Sequence, residues 1–348
     1  MSSPAVALSP ARPLAADAGR RFDWLAIAAI EWLGVGLYAD GWAHVNRLPD
    51  SFWTVWHAIF YSGFAAVATV IVGATILRRP RTATWRAAIP RGYLASVVGA
   101  AIFAFGGLFD MAWHLTFGVE VGNDALLSPS HLTLALGGAL LASGPLRADL
   151  YRRDRSTSLL DRLPMVLSLA AVFSLLTFFT LYADPYSPLH GAKYSGLSDD
   201  AVFRDLLSMF VFSALLVGVL LFALRVTTLP RGTLPLLLGL NAFAMLLMHS
   251  HGPPAITASL IGVAVATGVV GEVLLAAHRP SAARAVALRA FATLVPATFW
   301  TLYFVAVFFL RGIGWSFTFL SGAVVLCGVV GLLLSYVAVP PAAQPEGV

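Results

Sequence analysis

Apolar residues run along this chain in ten blocks, at 23–45, 52–77, 92–117, 127–146, 163–183, 203–226, 233–249, 254–277, 287–310 and 315–338. Polar residues and turn formers separate them. A helix needs about 20 apolar residues to cross the hydrocarbon core of a bilayer. Backbone groups find no water there, so such runs bond within themselves, as helices. The pattern predicts an all-α polytopic membrane helical bundle of about ten transmembrane helices. One transmembrane domain (23–338) is flanked by an N-terminal tail (1–22) and a C-terminal tail (339–348).

The charged breaks alternate. Of the 22 Lys and Arg residues, all but Arg47, Lys193, Arg204 and Arg311 precede the first block or follow the second, fourth, sixth and eighth. The positive-inside rule then predicts a multi-pass protein of the cell inner membrane with both termini cytoplasmic. Met1 to Arg21 is rich in Ala and Pro and has no apolar core before a small-residue cleavage site, so it does not read as a secretory signal. Composition agrees: 59% of residues are hydrophobic and 11% charged, with a mean hydropathy of +0.82. That excludes an ordinary soluble domain. The pI near 9.7 comes from basic residues placed between blocks, which argues for orientation in a lipid bilayer and no nucleic acid partner. The one cysteine, Cys327, excludes internal disulfides and thiolate clusters, so any metal takes nitrogen and oxygen ligands.

The same topology sorts the histidines. His44, His57, His114, His131, His190, His249 and His251 all fall at outward-facing block ends, and only His278 falls at the other side. Four of them belong to a repeated pattern. Asp40 to His57 reads DGWAHVNRLPDSFWTVWH, and Asp110 to His131 reads DMAWHLTFGVEVGNDALLSPSH. Each is D-x3-H, a gap, then D-x6-H. The length difference falls in the gap, where a loop belongs. Residues four apart share a helix face, so Asp40 with His44, and Asp110 with His114, can grip one ion. His57 and His131 from the neighbouring helices would complete a two-histidine, one-carboxylate set with open positions. Asp50 and Asp124 are candidates to cap the second helix or to orient a histidine as acceptors. A single D-x3-H is as readily an interfacial histidine beside a capping aspartate. Its recurrence favours metal, since ionisable residues are costly in a membrane.

The pattern is one arm of a hairpin repeat with a period of about 70 residues. The third hairpin echoes it: the LYAD of Leu37 to Asp40 returns at Leu181 to Asp184, followed by His190, Asp199, Asp200 and Asp205. The fourth keeps only His249, Ser250 and His251. Asp184, His190, His249 and His251 are therefore weaker site candidates. Glu31 lies nine residues before Asp40 on the same block, about 13.5 Å deeper, where it is a candidate proton relay or a bundle-pairing residue, as are Asn241 and Glu272.

The D-x3-H-x12-H spacing of Asp40, His44 and His57 resembles the metal-binding hairpin of the C subunit of particulate methane and ammonia monooxygenases. So does the lettering of Trp113-His114 and of the DALLSPSH run from Asp124 to His131. The likeness is local, about 20 residues per copy, and here it occurs twice. The first copy lacks Pro-Ser before His57, and the second has sixteen residues between its histidines. The resemblance implies copper at each Asp/His2 set and partner membrane subunits. The ligand types by themselves equally admit zinc or iron. Three functions stay open: metal handling or an oxidase-like role, a proton- or metal-coupled transporter, and a b-type haem protein. Haem ligation wants histidines facing each other across a bundle, and a transporter wants polar residues continuing to the cytoplasmic side.

Overall fold

The computed structural model describes residues 19–48, 51, 53–79, 84–118, 122–152, 155–193, 198–249 and 253–341. Asp50 and His251 lie outside the described residues, as does the side chain of Asp124. Thirteen α-helices form the described part: α1 Arg20–Val45, α2 Val55–Leu77, α3 Trp85–Ala88, α4 Leu94–Phe117, α5 Asn123–Leu127, α6 Pro129–Ala142, α7 Gly144–Leu150, α8 Leu159–Phe179, α9 Asp199–Val226, α10 Thr233–Met248, α11 Pro254–His278, α12 Ala285–Arg311 and α13 Phe317–Ala338. A 3-10 turn at Leu181–Ala183 joins α8 to the loop before α9.

Each of the ten apolar blocks is helical, nine as one α-helix and that at 127–146 as two, and the chain is an all-α membrane bundle. Among the described residues, eight helices are long and apolar enough to cross a membrane: α1, α2, α4, α8, α9, α11, α12 and α13. The other two blocks give shorter helices, α6 with 14 residues and α10 with 16. The block at 127–146 breaks at Ser143, because Pro145 has no N–H to give the helical ladder. The Leu141 carbonyl, which that N–H would have bonded, takes the Ser96 hydroxyl at 3.3 Å, and the neighbouring Leu140 carbonyl takes Arg147 at 2.7 Å. A broken helix inside a bundle survives only with such replacements.

Two large apolar cores fill the bundle, with a small third cluster of α9 and α12 residues beside them. One joins α1, α2, α4 and α6 through residues such as Ile27, Phe60, Phe103 and Leu141. The other lies among α8 to α13, around Phe173, Phe212, Met245, Phe299 and Trp300. At the arginine-rich end, Asp23 of α1 accepts from Tyr93 and from Arg152, and Asp149 pairs with Arg162 at 2.7 Å. These bonds tie the first core to the second.

Within the first core, α1 packs on α2 and α4 on α6 as two matching hairpins. Small residues set both contacts. A Cβ on Gly36 would lie 2.4 Å from the Phe60 Cα, and one on Gly63 would lie 2.6 Å from the Leu33 Cα. In the second hairpin, Gly106 faces Leu134, and a Cβ on Gly137 would lie 2.7 Å from the Phe103 nitrogen. The offset that carries Asp40 to Asp110 also carries Leu33 to Phe103 and Gly36 to Gly106. The offset that carries His57 to His131 also carries Phe60 to Leu134 and Gly63 to Gly137. The repeat is thus one of backbone packing as well as of polar residues.

Candidate metal centre

In the first hairpin, Asp40 and His44 occupy the last two turns of α1. His57 sits in the first turn of α2, where the Thr54 hydroxyl caps the helix by accepting its backbone N–H at 3.4 Å. The hairpin brings the His57 Nε2 to 3.1 Å from Asp40 Oδ1, with the His44 Nε2 at 3.8 Å from the same oxygen. The other ring nitrogen of His57, Nδ1, is 2.9 Å from the carbonyl oxygen of Ser51. A carbonyl only accepts, so Nδ1 carries the hydrogen and Nε2 presents its lone pair to the carboxylate. Two lone pairs at this distance repel unless a cation, proton or metal, lies between them. Asp40 Oδ1 is buried and has no hydrogen-bond partner among the described residues.

The second hairpin repeats the arrangement. Asp110 and His114 end α4, and His131 stands in the first turn of α6, capped by the Ser128 hydroxyl. The His114 Nε2 is 3.4 Å from Asp110 Oδ2, and the His131 Nε2 is 3.4 Å from Asp110 Oδ1. His114 Nδ1 faces the Gly118 carbonyl at 3.2 Å; Gly118 turns the chain back with a φ of 85° that suits glycine. His131 Nδ1 lies 2.7 Å from the Ser128 hydroxyl. Ser130 donates to Asp110 Oδ1 at 2.8 Å and lies 3.2 Å from Ser128. Only one orientation satisfies every member: His131 Nδ1–H to Ser128, Ser128 to Ser130, Ser130 to Asp110. That places a hydrogen on His131 Nδ1, and in the neutral ring Nε2 is then bare.

In each set, one nitrogen or oxygen from every member lies within 4.8 Å of the others, and these are the two such groups among the described residues. Nε2 of His57, His114 and His131 faces a carboxylate while Nδ1 is held by a carbonyl or hydroxyl. Metal-binding histidines are held in this way, with the outer N–H donated to a protein acceptor. Two imidazoles and one carboxylate leave open positions for water or another ligand. Asp40, His44 and His57 of the first set, and Asp110 and His131 of the second, line one cavity together with Glu31.

The caps of α2 and α6 are hydroxyls. Thr54 and Ser128 take that role, because a hydroxyl three residues ahead of the histidine reaches its N–H. Sequence reasoning missed Ser128 and Ser130 as working residues. Both were in view in the DALLSPSH run from Asp124 to His131, and a hydroxyl before a helix start is the signal that would have found them.

The third echo is built differently. Ser198 caps α9 through Ala201, so the cap persists where the second histidine would stand and the ligand is gone. His190 is buried and both its ring nitrogens face acceptors: Nδ1 meets Asp205 Oδ1 at 2.8 Å, and Nε2 meets the carbonyl of Asp184 at 2.8 Å. Asp205 also accepts the Gly191 N–H at 2.8 Å, Ser208 sits 3.0 Å from Nε2, and the Tyr303 hydroxyl takes the His190 N–H. No lone pair of His190 points to open space. Asp184 accepts the Tyr186 N–H and lies 2.8 Å from the His249 Nε2. Burial pushes its carboxyl up to about 7, against the lowering effect of the Tyr186 N–H and of His190. Asp184, His190 and His249 thus fasten the loop between α8 and α9. Nothing in the spacing revealed Ser208 or Tyr303, whose places depend on the fold.

The molecule is an integral membrane helical bundle with two Asp/His2 groups on adjoining hairpins. No protein-family model matches the chain, and no curated protein or solved structure matches it.

Proposed function

We propose that this chain is a membrane metalloprotein that holds two ions, one in each Asp/His2 set, and that the metal is copper. The observation that carries the reading is the inward turn of Nε2 on three histidines, with Nδ1 tied down behind it. The local resemblance to the copper-binding hairpin of the monooxygenase C subunit supplies the choice of copper and the prospect of partner membrane subunits. The role that suits two open-sided sites on one cavity is metal handling or oxidase-like chemistry. A haem suits the geometry less well, because each histidine pair converges on a carboxylate and not on a ring-wide slot.

Metal analysis tests this. Wild type is expected to hold two ions per chain, His44→Ala and His114→Ala one each, and the double variant none. Removing a direct ligand should weaken its site by at least the ~10–100-fold that losing an outer partner costs. Unchanged stoichiometry in all three variants would falsify the reading. A Soret band in the purified protein would turn it towards haem.

The orientation that goes with this function has the arginine-rich end in the cytoplasm and both metal sets at the outer face. Reporters fused after Arg79 and after Arg153 are expected to report cytoplasm, and one fused after Lys193 the outside. The reverse pattern would place the metal sets on the cytoplasmic side.

A further inference from the structure

The two metal sets share a cavity of about 800 Å³ that runs down into the bundle. Asp40, His57, Asp110 and His131 stand at its upper end. Glu31 lies nine residues before Asp40 on α1, about 13.5 Å below. Between them the wall is apolar, formed by side chains such as Phe60, Phe103, Leu134 and Phe178. The Tyr38 hydroxyl on this wall already donates to the Ser174 carbonyl at 2.9 Å. Water ordered in such a shaft would lack the two to four polar partners it needs. An ion would find no ladder of ligands between the metal sets and Glu31. The volume is that of sites which enclose a whole small molecule.

We infer that this cavity binds a membrane-dissolved amphiphile, with a neutral oxygen head group at the metal sets and a hydrocarbon body in the apolar shaft. The inference deepens the metalloprotein reading and rests on it for the position of the head. Two-histidine, one-carboxylate sets leave coordination positions that an oxygen donor can take. A hydroxyl fits better than an anionic head, which the Asp40 and Asp110 carboxylates would repel whenever metal is absent. A cationic head would compete with the metal. Val35 on α1 and Phe243 and Leu247 on α10 belong to the wall and are exposed, so the shaft is reached through apolar surface that faces lipid.

Gly34 gives the means of testing it. It lines the cavity, and a Cβ there meets nothing within 4 Å, so a side chain can start from it without a clash and a phenylalanine is expected to fill part of the shaft. Gly34→Ala leaves the shaft open and serves as the folding control. The probe is n-decanol added to the full chain in lipid nanodiscs loaded with Cu²⁺. Paramagnetic relaxation of the decanol protons is then measured by NMR, with copper content measured on the same samples. In wild type and Gly34→Ala, the carbinol protons are expected to relax several-fold faster than the terminal methyl. In Gly34→Phe that gradient should vanish with copper content unchanged. Full copper with no gradient in wild type, or a gradient that survives Gly34→Phe, overturns the inference. If wild type takes up no copper, the metalloprotein reading has failed separately. Saturation transfer from the metal-free protein to decanol then decides the cavity alone: sensitivity to Gly34→Phe upholds it, and insensitivity ends it.

Discussion

Replacing Asp205 by alanine is expected to destabilise the folded bundle by about 3–5 kcal/mol, the loss that follows when one member of a buried ion pair is removed. Asp205 and His190 are both almost wholly buried, 2.8 Å apart, and each has further bonds that hold it in place. Without the carboxylate, the imidazole keeps a buried hydrogen with no acceptor, and the Gly191 N–H loses its partner. The double variant His190→Ala, Asp205→Ala is expected to lose less than the sum of the two single variants, because neither leaves the other stranded. Asp40→Ala should cost far less than Asp205→Ala, since Asp40 Oδ1 has no hydrogen-bond donor among the described residues to strand. Unfolding in mixed micelles, with detergent as denaturant, gives the comparison. Equal losses for Asp205→Ala and Asp40→Ala would remove the distinction drawn between the fastened loop and the metal sets.

That distinction marks how far the sequence could be read. The ten apolar blocks were visible because hydropathy is a local property, and each did become helical. The break at Ser143 was written in Gly144-Pro145, yet it lies within an apolar run, and hydropathy does not register a missing N–H. The two Asp/His2 groups were visible because four-residue spacing on a helix is a distance in space. The partners of Nδ1 were not: Ser51 and Gly118 act through backbone carbonyls, which every residue has. His190 shows the opposite error. Its place after LYAD suggested a third set, but Asp205 lies on the next helix and takes one ring nitrogen while a backbone carbonyl takes the other. The loss of the ligand was readable as well, because Ala201 follows Ser198 just as His131 follows Ser128. Only the fold showed that these serines are equivalent caps.

The glycines make the link between packing and metal testable, since each hairpin holds its ligands by the approach of two backbones. Gly63→Ala places a methyl 2.6 Å from the Leu33 Cα, and Gly137→Ala places one 2.7 Å from the Phe103 nitrogen. Neither neighbour is a side-chain end that can swing away, so the helices must separate. Overpacking of this kind costs about 1–3 kcal/mol. A ligand constellation tolerates a displacement of only about 0.5 Å. His57 rides on the helix that Gly63→Ala pushes away from Asp40, and His131 on the one that Gly137→Ala pushes away from Asp110. Each variant is therefore expected to lose the ion of its own hairpin, with affinity down at least ~10-fold, and to keep the other. Gly73→Ala, whose methyl would meet nothing within 4 Å, is expected to keep both ions and full stability. Metal stoichiometry and thermal stability measured on the three variants decide it. If Gly63→Ala and Gly137→Ala both retain two ions at wild-type affinity, the close backbone contact does not set the ligand geometry. If each loses both ions, the hairpins are a single cooperative unit and not two separate grips on metal.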